Sequence, residues 1–446
     1  MKAKLTEGPV LKTLFQLTWP LMIGIFAVLG FYLADTYFIG QLGGKELAAI
    51  SFTFPVVTVL GSLALGLGIG TSSLISRFIG QGFSQRVREV ATDSLSLSLL
   101  IVTVLSILGF FTIDPLFKAM GADPELLPLI RDYMEIWYFN LIFVVIPMVG
   151  NGILRATGDT KFPAFVMIVA GGVNLILDPI FIFGFFGFPR LELKGAALAT
   201  VLARMLTLGA SIWALHFREG LLCNPFREFS KVLQNWKEIL SYGLPAALNN
   251  AIVPLSIGVI TWILSNYGHE AVAGFGVGTR LESIIMIFLM AISASLVPFI
   301  GQNSGAQKIE RVQQALRYSA QVAFLWIGLC FTLIWFFGGS LVSVFSDVAE
   351  IRKISYGYLI WVSASFSFEG ILLFSNSAFT ALGVPRYSIY FTLFRMIGIY
   401  VPLAFISQHT VGYIGVFWAA ALSNLISGVC AWVSLKKHLI RVNGQK

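Results

Sequence analysis

The chain has 446 residues, of which 57% are hydrophobic and only 12% charged, with a mean hydropathy of +0.83. Soluble domains carry about 25% charge, so a water-soluble globule is excluded, and disorder is excluded with it. The net charge of +8 does not mark a nucleic-acid binder, because the 30 basic residues form no patch interleaved with aromatics.

A window of about 20 residues finds twelve apolar segments. They lie near 12–39, 47–75, 88–111, 129–153, 162–186, 195–217, 238–266, 272–299, 313–337, 354–379, 387–407 and 412–435. Turn chemistry separates them, as at Gly43-Gly44-Lys45-Glu46, Gly121-Ala122-Asp123-Pro124, Gly158-Asp159-Thr160-Lys161 and Gly383-Val384-Pro385-Arg386. Lys2 and Lys4 imitate the start of a signal peptide, but the run that follows is too long and has no small-x-small cleavage site, so it is read as a retained first helix. The predicted fold is an all-α integral membrane protein of twelve transmembrane helices.

The basic residues set the expected orientation. With the N-terminus cytoplasmic, twenty fall on the cytoplasmic side, from Lys2, Lys4 and Lys12 through Arg227 and Lys231 to Lys436, Lys437 and Lys446. Seven, including Lys45, Lys118 and Arg190, fall opposite, and Arg204, Arg280 and Arg395 are embedded. The positive-inside bias therefore places both termini in the cytoplasm.

The second half repeats the first at an offset of about 225 residues. Pro20 corresponds to Pro245, Gly44-Lys45-Glu46 to Gly268-His269-Glu270, Ile79-Gly80-Gln81 to Ile300-Gly301-Gln302, and Asn151 to Asn376. Six helices per half give both halves the same orientation, so two six-helix lobes related by a pseudo-twofold along the membrane normal are expected, with a cleft between them. The expected division is 1–217 for the first lobe, 218–237 for a cytoplasmic linker, and 238–446 for the second lobe with its basic cytoplasmic tail. Such a duplicated architecture suits alternating access better than a channel or an enzyme.

Asp35, near the end of the first apolar segment, and Asp178, inside the fifth, are carboxylates where they are costly, which marks an ion or substrate pathway. Neither has a counterpart in the second half, opposite Ile260 and Val401, so coupling chemistry is expected in the first lobe. Asn174 stands one turn before Asp178 on the same helix face and can donate to it. Pro179 frees the carbonyl of Leu175 and is expected to bend the helix; Pro20, which lacks the hydrogen bond to Gln16, is expected to bend the first. At 1.5 Å per residue, Asp178 lies ~12 Å from its helix end, and Asp35 and Thr200 ~8 Å from theirs, so the four polar groups can meet in the outer half. Desolvation favours the protonated acid and a bound cation favours the anion, so this cluster can exchange a proton for a cation.

Other polar groups are read more plainly. Glu282, Glu369 and Arg280 form a possible second-lobe polar site, with a structural salt bridge as the competing reading. Gly66-Leu67-Gly68-Ile69-Gly70 is assigned to close helix packing, since no lysine follows as in a phosphate loop. Cys223, Cys330 and Cys430 and the four histidines are scattered, so neither a disulfide framework nor a metal site is expected. No nucleophile-base pair or paired-Asp motif supports an intramembrane enzyme.

The pattern resembles the multidrug and toxic compound extrusion (MATE) family, closest to its DinF-like branch. The resemblance is carried by Trp19-Pro20, Ala34-Asp35-Thr36, Gly43-Gly44 with Ala48-Ala49, Gly80-Gln81, Arg155-Ala156-Thr157-Gly158-Asp159-Thr160, Asn174 through Asp178-Pro179, and Gly195-Ala196-Ala197 through Thr200. It implies a monomeric exporter of the cytoplasmic (inner) membrane, without cofactor or nucleic-acid partner, that expels small cationic or amphiphilic drugs against inward protons. By motif position, Asp35, Asn174, Asp178 and Thr200 are its coupling residues and Pro20 its first-helix bend. Sodium at the same four residues is the alternative ion. A lipid-linked oligosaccharide flippase of the same superfamily is the alternative function; the embedded Arg204, Arg280 and Arg395 keep it open, and unpaired arginines facing the cleft would favour it.

Overall fold

Apolar runs that must satisfy every backbone group internally can only be helical in lipid, and the computed structural model, which describes residues 3–224 and 228–444, contains no strand among them. The basic residues Lys2, Arg227 and Lys446 lie outside the described residues. The long helices are α1 (Val10–Gly40), α2 (Gly44–Gln81), α3 (Ser84–Ala119), α4 (Leu127–Ala156), α5 (Lys161–Phe183), α6 (Glu192–Trp213), α7 (Phe229–Ser265), α8 (His269–Gly305) and α9 (Ile309–Ser343). They are followed by α10 (Ala349–Ser363), α11 (Phe366–Ala381), α12 (Arg386–Leu393), α13 (Val401–Val411) and α14 (Tyr413–Gly444). A wider, π-helical turn over Phe394–Tyr400 joins α12 to α13 in one continuous span, Arg386–Val411. Eleven helices are long and apolar enough to cross a membrane, and the α10–α11 pair makes a twelfth span bent by 57°.

That bend was not legible as a break in the expected segment 354–379. No proline causes it. The backbone N–H of Ser365 turns back to the carbonyl of Val362 at 2.9 Å and its hydroxyl donates to the same oxygen at 2.7 Å, so one acceptor takes two local bonds and the helix ends there. The prolines expected to bend helices stand in unbroken ones: α1 runs through Pro20 and α5 through Pro179.

The described residues form two compact units, one holding 19–247 and the other 3–18 with 248–444. The division falls inside α1, next to Pro20, and inside α7, and α7 begins at Phe229, within the stretch 218–237. Side chains explain the placement of each helix start. In the first unit, the buried Asn235 donates to Asp93 at 2.6 Å, Trp236 donates to the Asp93 carbonyl at 3.1 Å, and Arg86 pairs with Glu238 at 3.1 Å. In the second, the Leu5 N–H donates to the buried Gln302 at 3.0 Å, Thr18 to Ser295 at 3.1 Å, and Arg311 to the Gly8 carbonyl at 2.8 Å.

The glycine run of α2 serves packing, as its reading from sequence holds. A Cβ on Gly70 would fall 2.5 Å from the Gly243 nitrogen, and one on Gly152 of α4 would fall 2.4 Å from the Gly68 carbonyl oxygen. Only hydrogen at these positions lets α2 lie against α4 and α7.

Candidate functional site

Three helices of the first unit carry the predicted polar residues: α1 with Asp35, α5 with Asn174 and Asp178, and α6 with Thr200. On α5, Asn174 and Asp178 share a face and are both fully buried. With its nitrogen toward the acid, the Asn174 amide donates to Asp178 Oδ2 at 2.7 Å, while its oxygen accepts from the Thr200 N–H on α6 at 3.3 Å. Helix periodicity does the positioning, since residues four apart lie one above the other.

Asp35 reaches the same region from α1. It interacts electrostatically with Asp178, and its Oδ1 is buried without a hydrogen-bond partner among the described residues. The phenol of Tyr133, on α4, lies within electrostatic reach of both carboxylates and of Tyr32. Tyr133 was missed from sequence, because a tyrosine in an apolar helix is ordinary and nothing near it repeats or breaks a pattern. Together these side chains offer carboxylate, amide, hydroxyl and phenol oxygens, donors that suit either a proton on an acid or a hard monovalent cation.

A cavity adjoins this cluster within the unit. Asn174 and Thr200 belong to both; beyond them the wall includes Phe31 of α1, Met148 and Asn151 of α4, Met167 of α5, and Arg204 of α6. Asp35 and Asp178 are not in that lining; Asp178 is tied to it through Asn174, and Arg204 follows Thr200 by one turn of α6.

The second unit holds a different polar network. Glu369 of α11 pairs with Arg395 at 2.8 Å, and Asn424 of α14 donates to the same carboxylate at 3.4 Å and to Ser365 at 3.0 Å. Glu282 of α8 accepts a hydrogen bond from Tyr358 of α10 and senses Glu369 and Arg395 electrostatically. The partner of Glu369 is therefore Arg395; Arg280 is exposed on α8 and forms no ion pair among the described residues. The wide turn at Phe394–Tyr400 carries Arg395 to the acid, and a π-turn leaves no signature in hydrophobic periodicity.

Comparison with known proteins identifies the family. The profile of the family described as MatE matches residues 20–180 and 245–406, one stretch in each half. The FAD transporter of Shewanella oneidensis is 39% identical over 428 residues, covering 96% of this chain and 95% of that protein. The probable multidrug resistance protein YoeA of Bacillus subtilis is 29% identical, covering 90% and 89%. Among solved structures, the Vibrio cholerae transporter VcmN in its bent form superimposes with a TM-score of 0.92 at 29% identity, over 97% of this chain and 98% of that one.

Proposed function

The chain belongs to the MATE family of membrane transporters, and on that premise we propose that it is a secondary active exporter that moves a flat aromatic solute outward against inward protons. The observation that carries the reading is the Asp35, Asn174, Asp178 and Thr200 cluster of the first unit, with Asn174 bonded to Asp178 at 2.7 Å and sharing a wall of the adjoining cavity. An acid that alternates between protonated and ionised forms exchanges its proton for a change in solute affinity, which is the minimum an antiporter needs. Sodium at the same oxygens is the alternative driving ion. The proposal includes the DinF-like branch, the cytoplasmic membrane and a monomer, and the distribution of basic residues supports cytoplasmic termini.

Flavin adenine dinucleotide is the first solute to test, because the relative at 39% identity over 96% of this chain carries that name. A second reading, cationic or amphiphilic drugs, is favoured by the 29% identical YoeA. The test uses the full-length protein in sealed vesicles, with FAD or a cationic dye on one side and an imposed pH or sodium gradient. FAD movement driven by pH and lost in Asp178→Asn is the expected result. Movement of dye alone would assign the drug reading, and drive by sodium alone would change the ion; no movement of either solute under either gradient would overturn the proposal.

A further inference from the structure

The cavity of the first unit has a basic pole that the coupling cluster does not use. Arg204 follows Thr200 by one turn of α6, and its guanidinium carbon lies 5.9 Å from the centroid of the Phe31 ring. It lines the cavity together with Asn151 and Thr207, and no carboxylate is in that lining. Among the described residues, Arg204 forms no ion pair and its side chain donates no hydrogen bond. Arg155, one turn beyond Asn151 on α4, is half-buried and likewise forms no ion pair among the described residues. Other arginines of the membrane spans are neutralised, Arg395 by Glu369 at 2.8 Å and Arg131 by Asp114, while Arg280 is unpaired among the described residues but exposed and does not line the cavity. An uncompensated cation inside a membrane span is costly and is kept for a function.

We infer that Arg204 is a specificity-determining residue that binds a phosphate or diphosphate group on the transported solute. A guanidinium laid against an aromatic face keeps its in-plane N–H edge free, and that fork matches two phosphate oxygens at once. Asn151 adds a neutral amide donor beside it, while Phe31, Met148 and Met167 supply an apolar wall for a planar ring. Arg204 is thus the charged group of the cavity lining, while Asp35 and Asp178 lie outside it and touch it through Asn174, so the driving cation and an anionic solute have separate sites. This inference rests on the reading of the chain as an exporter of aromatic solutes and narrows it to those bearing phosphate. The same diphosphate chemistry occurs in a soluble flavin dinucleotide and in a lipid-linked sugar diphosphate.

The test titrates FAD, riboflavin and inorganic diphosphate onto the full-length protein in lipid nanodiscs, following intrinsic tryptophan fluorescence, for wild type, Arg204→Gln, Arg204→Lys and Phe31→Leu. The FAD-to-riboflavin affinity ratio is expected to fall at least about tenfold in Arg204→Gln, as loss of a charge-assisted pair requires. Arg204→Lys is expected to recover part of that ratio, and Phe31→Leu to lie between, which separates lost recognition from misfolding. An equal ratio in wild type and in monodisperse Arg204→Gln overturns the inference, and FAD efflux from wild-type vesicles would then still stand. Arg204-dependent binding of diphosphate without FAD movement supports the subsite, fails the FAD reading, and assigns the phosphate to a lipid-linked substrate.

Discussion

Asn174 donates to Asp178 at 2.7 Å from the preceding turn of α5, which makes the amide both the support of the acid and part of the cavity wall. Any change in the charge of Asp178 is felt at once by a group that lines the cavity.

Asp178→Asn keeps the shape of the acid and removes its charge, so gradient-driven efflux is expected to fall by more than about tenfold, which corresponds to ~1.4 kcal/mol of lost coupling. Asn174→Leu does a different thing. It leaves a fully buried acid without its donor, and is expected to lower unfolding stability by about 1–3 kcal/mol as well as transport. Thermal melting in detergent beside vesicle efflux separates the two effects.

Asp35→Asn is predicted to act in the opposite sense on stability. One Asp35 oxygen is buried with no hydrogen-bond partner among the described residues, so the substitution breaks no hydrogen bond at that oxygen and removes the cost of a buried charge. The melting temperature is expected to stay level or rise while gradient-driven efflux is lost. A fall in melting temperature with transport preserved would make Asp35 a structural residue.

The sequence announced what depends on composition and period. Twelve apolar segments, the repeat, and the shared Asn174–Asp178 face of α5 all follow from hydropathy and helical spacing, because a residue four positions along a helix has only one direction to point. What lay hidden depends on partners far along the chain. Tyr133 and Arg395 reach acids on other helices, and the division inside α7 rests on Asp93 and Arg86 holding Asn235 and Glu238. The break at Ser365 is set by a hydroxyl competing for one carbonyl, and serine does the same in many helices that continue.

Gly152→Ala tests the close approach of α2 and α4. The added methyl would lie 2.4 Å from the Gly68 carbonyl oxygen, and backbone cannot swing aside as a side chain can, so a loss of about 1–3 kcal/mol is expected. Gly30→Ala is the control, since a Cβ there meets nothing within 4 Å and alanine is favoured over glycine in a helix by about 1 kcal/mol. Opposite shifts in melting temperature for the two variants are the expected pattern, and equal shifts would remove the packing argument.

The Glu369–Arg395 pair predicts non-additivity. Both side chains are largely buried at 2.8 Å separation, so Glu369→Gln or Arg395→Met alone leaves its partner charged and unpaired, and each is expected to cost about 3–5 kcal/mol. The double variant removes both charges and is expected to regain most of that loss. If the pair is structural, the double variant also transports at a rate near wild type, because Glu282 keeps its bond from Tyr358 and the first-unit cluster is untouched. If the double variant melts like wild type yet fails to transport, the second-unit network takes part in transport, and Glu282, which senses both partners of the pair electrostatically, becomes the next acid to neutralise.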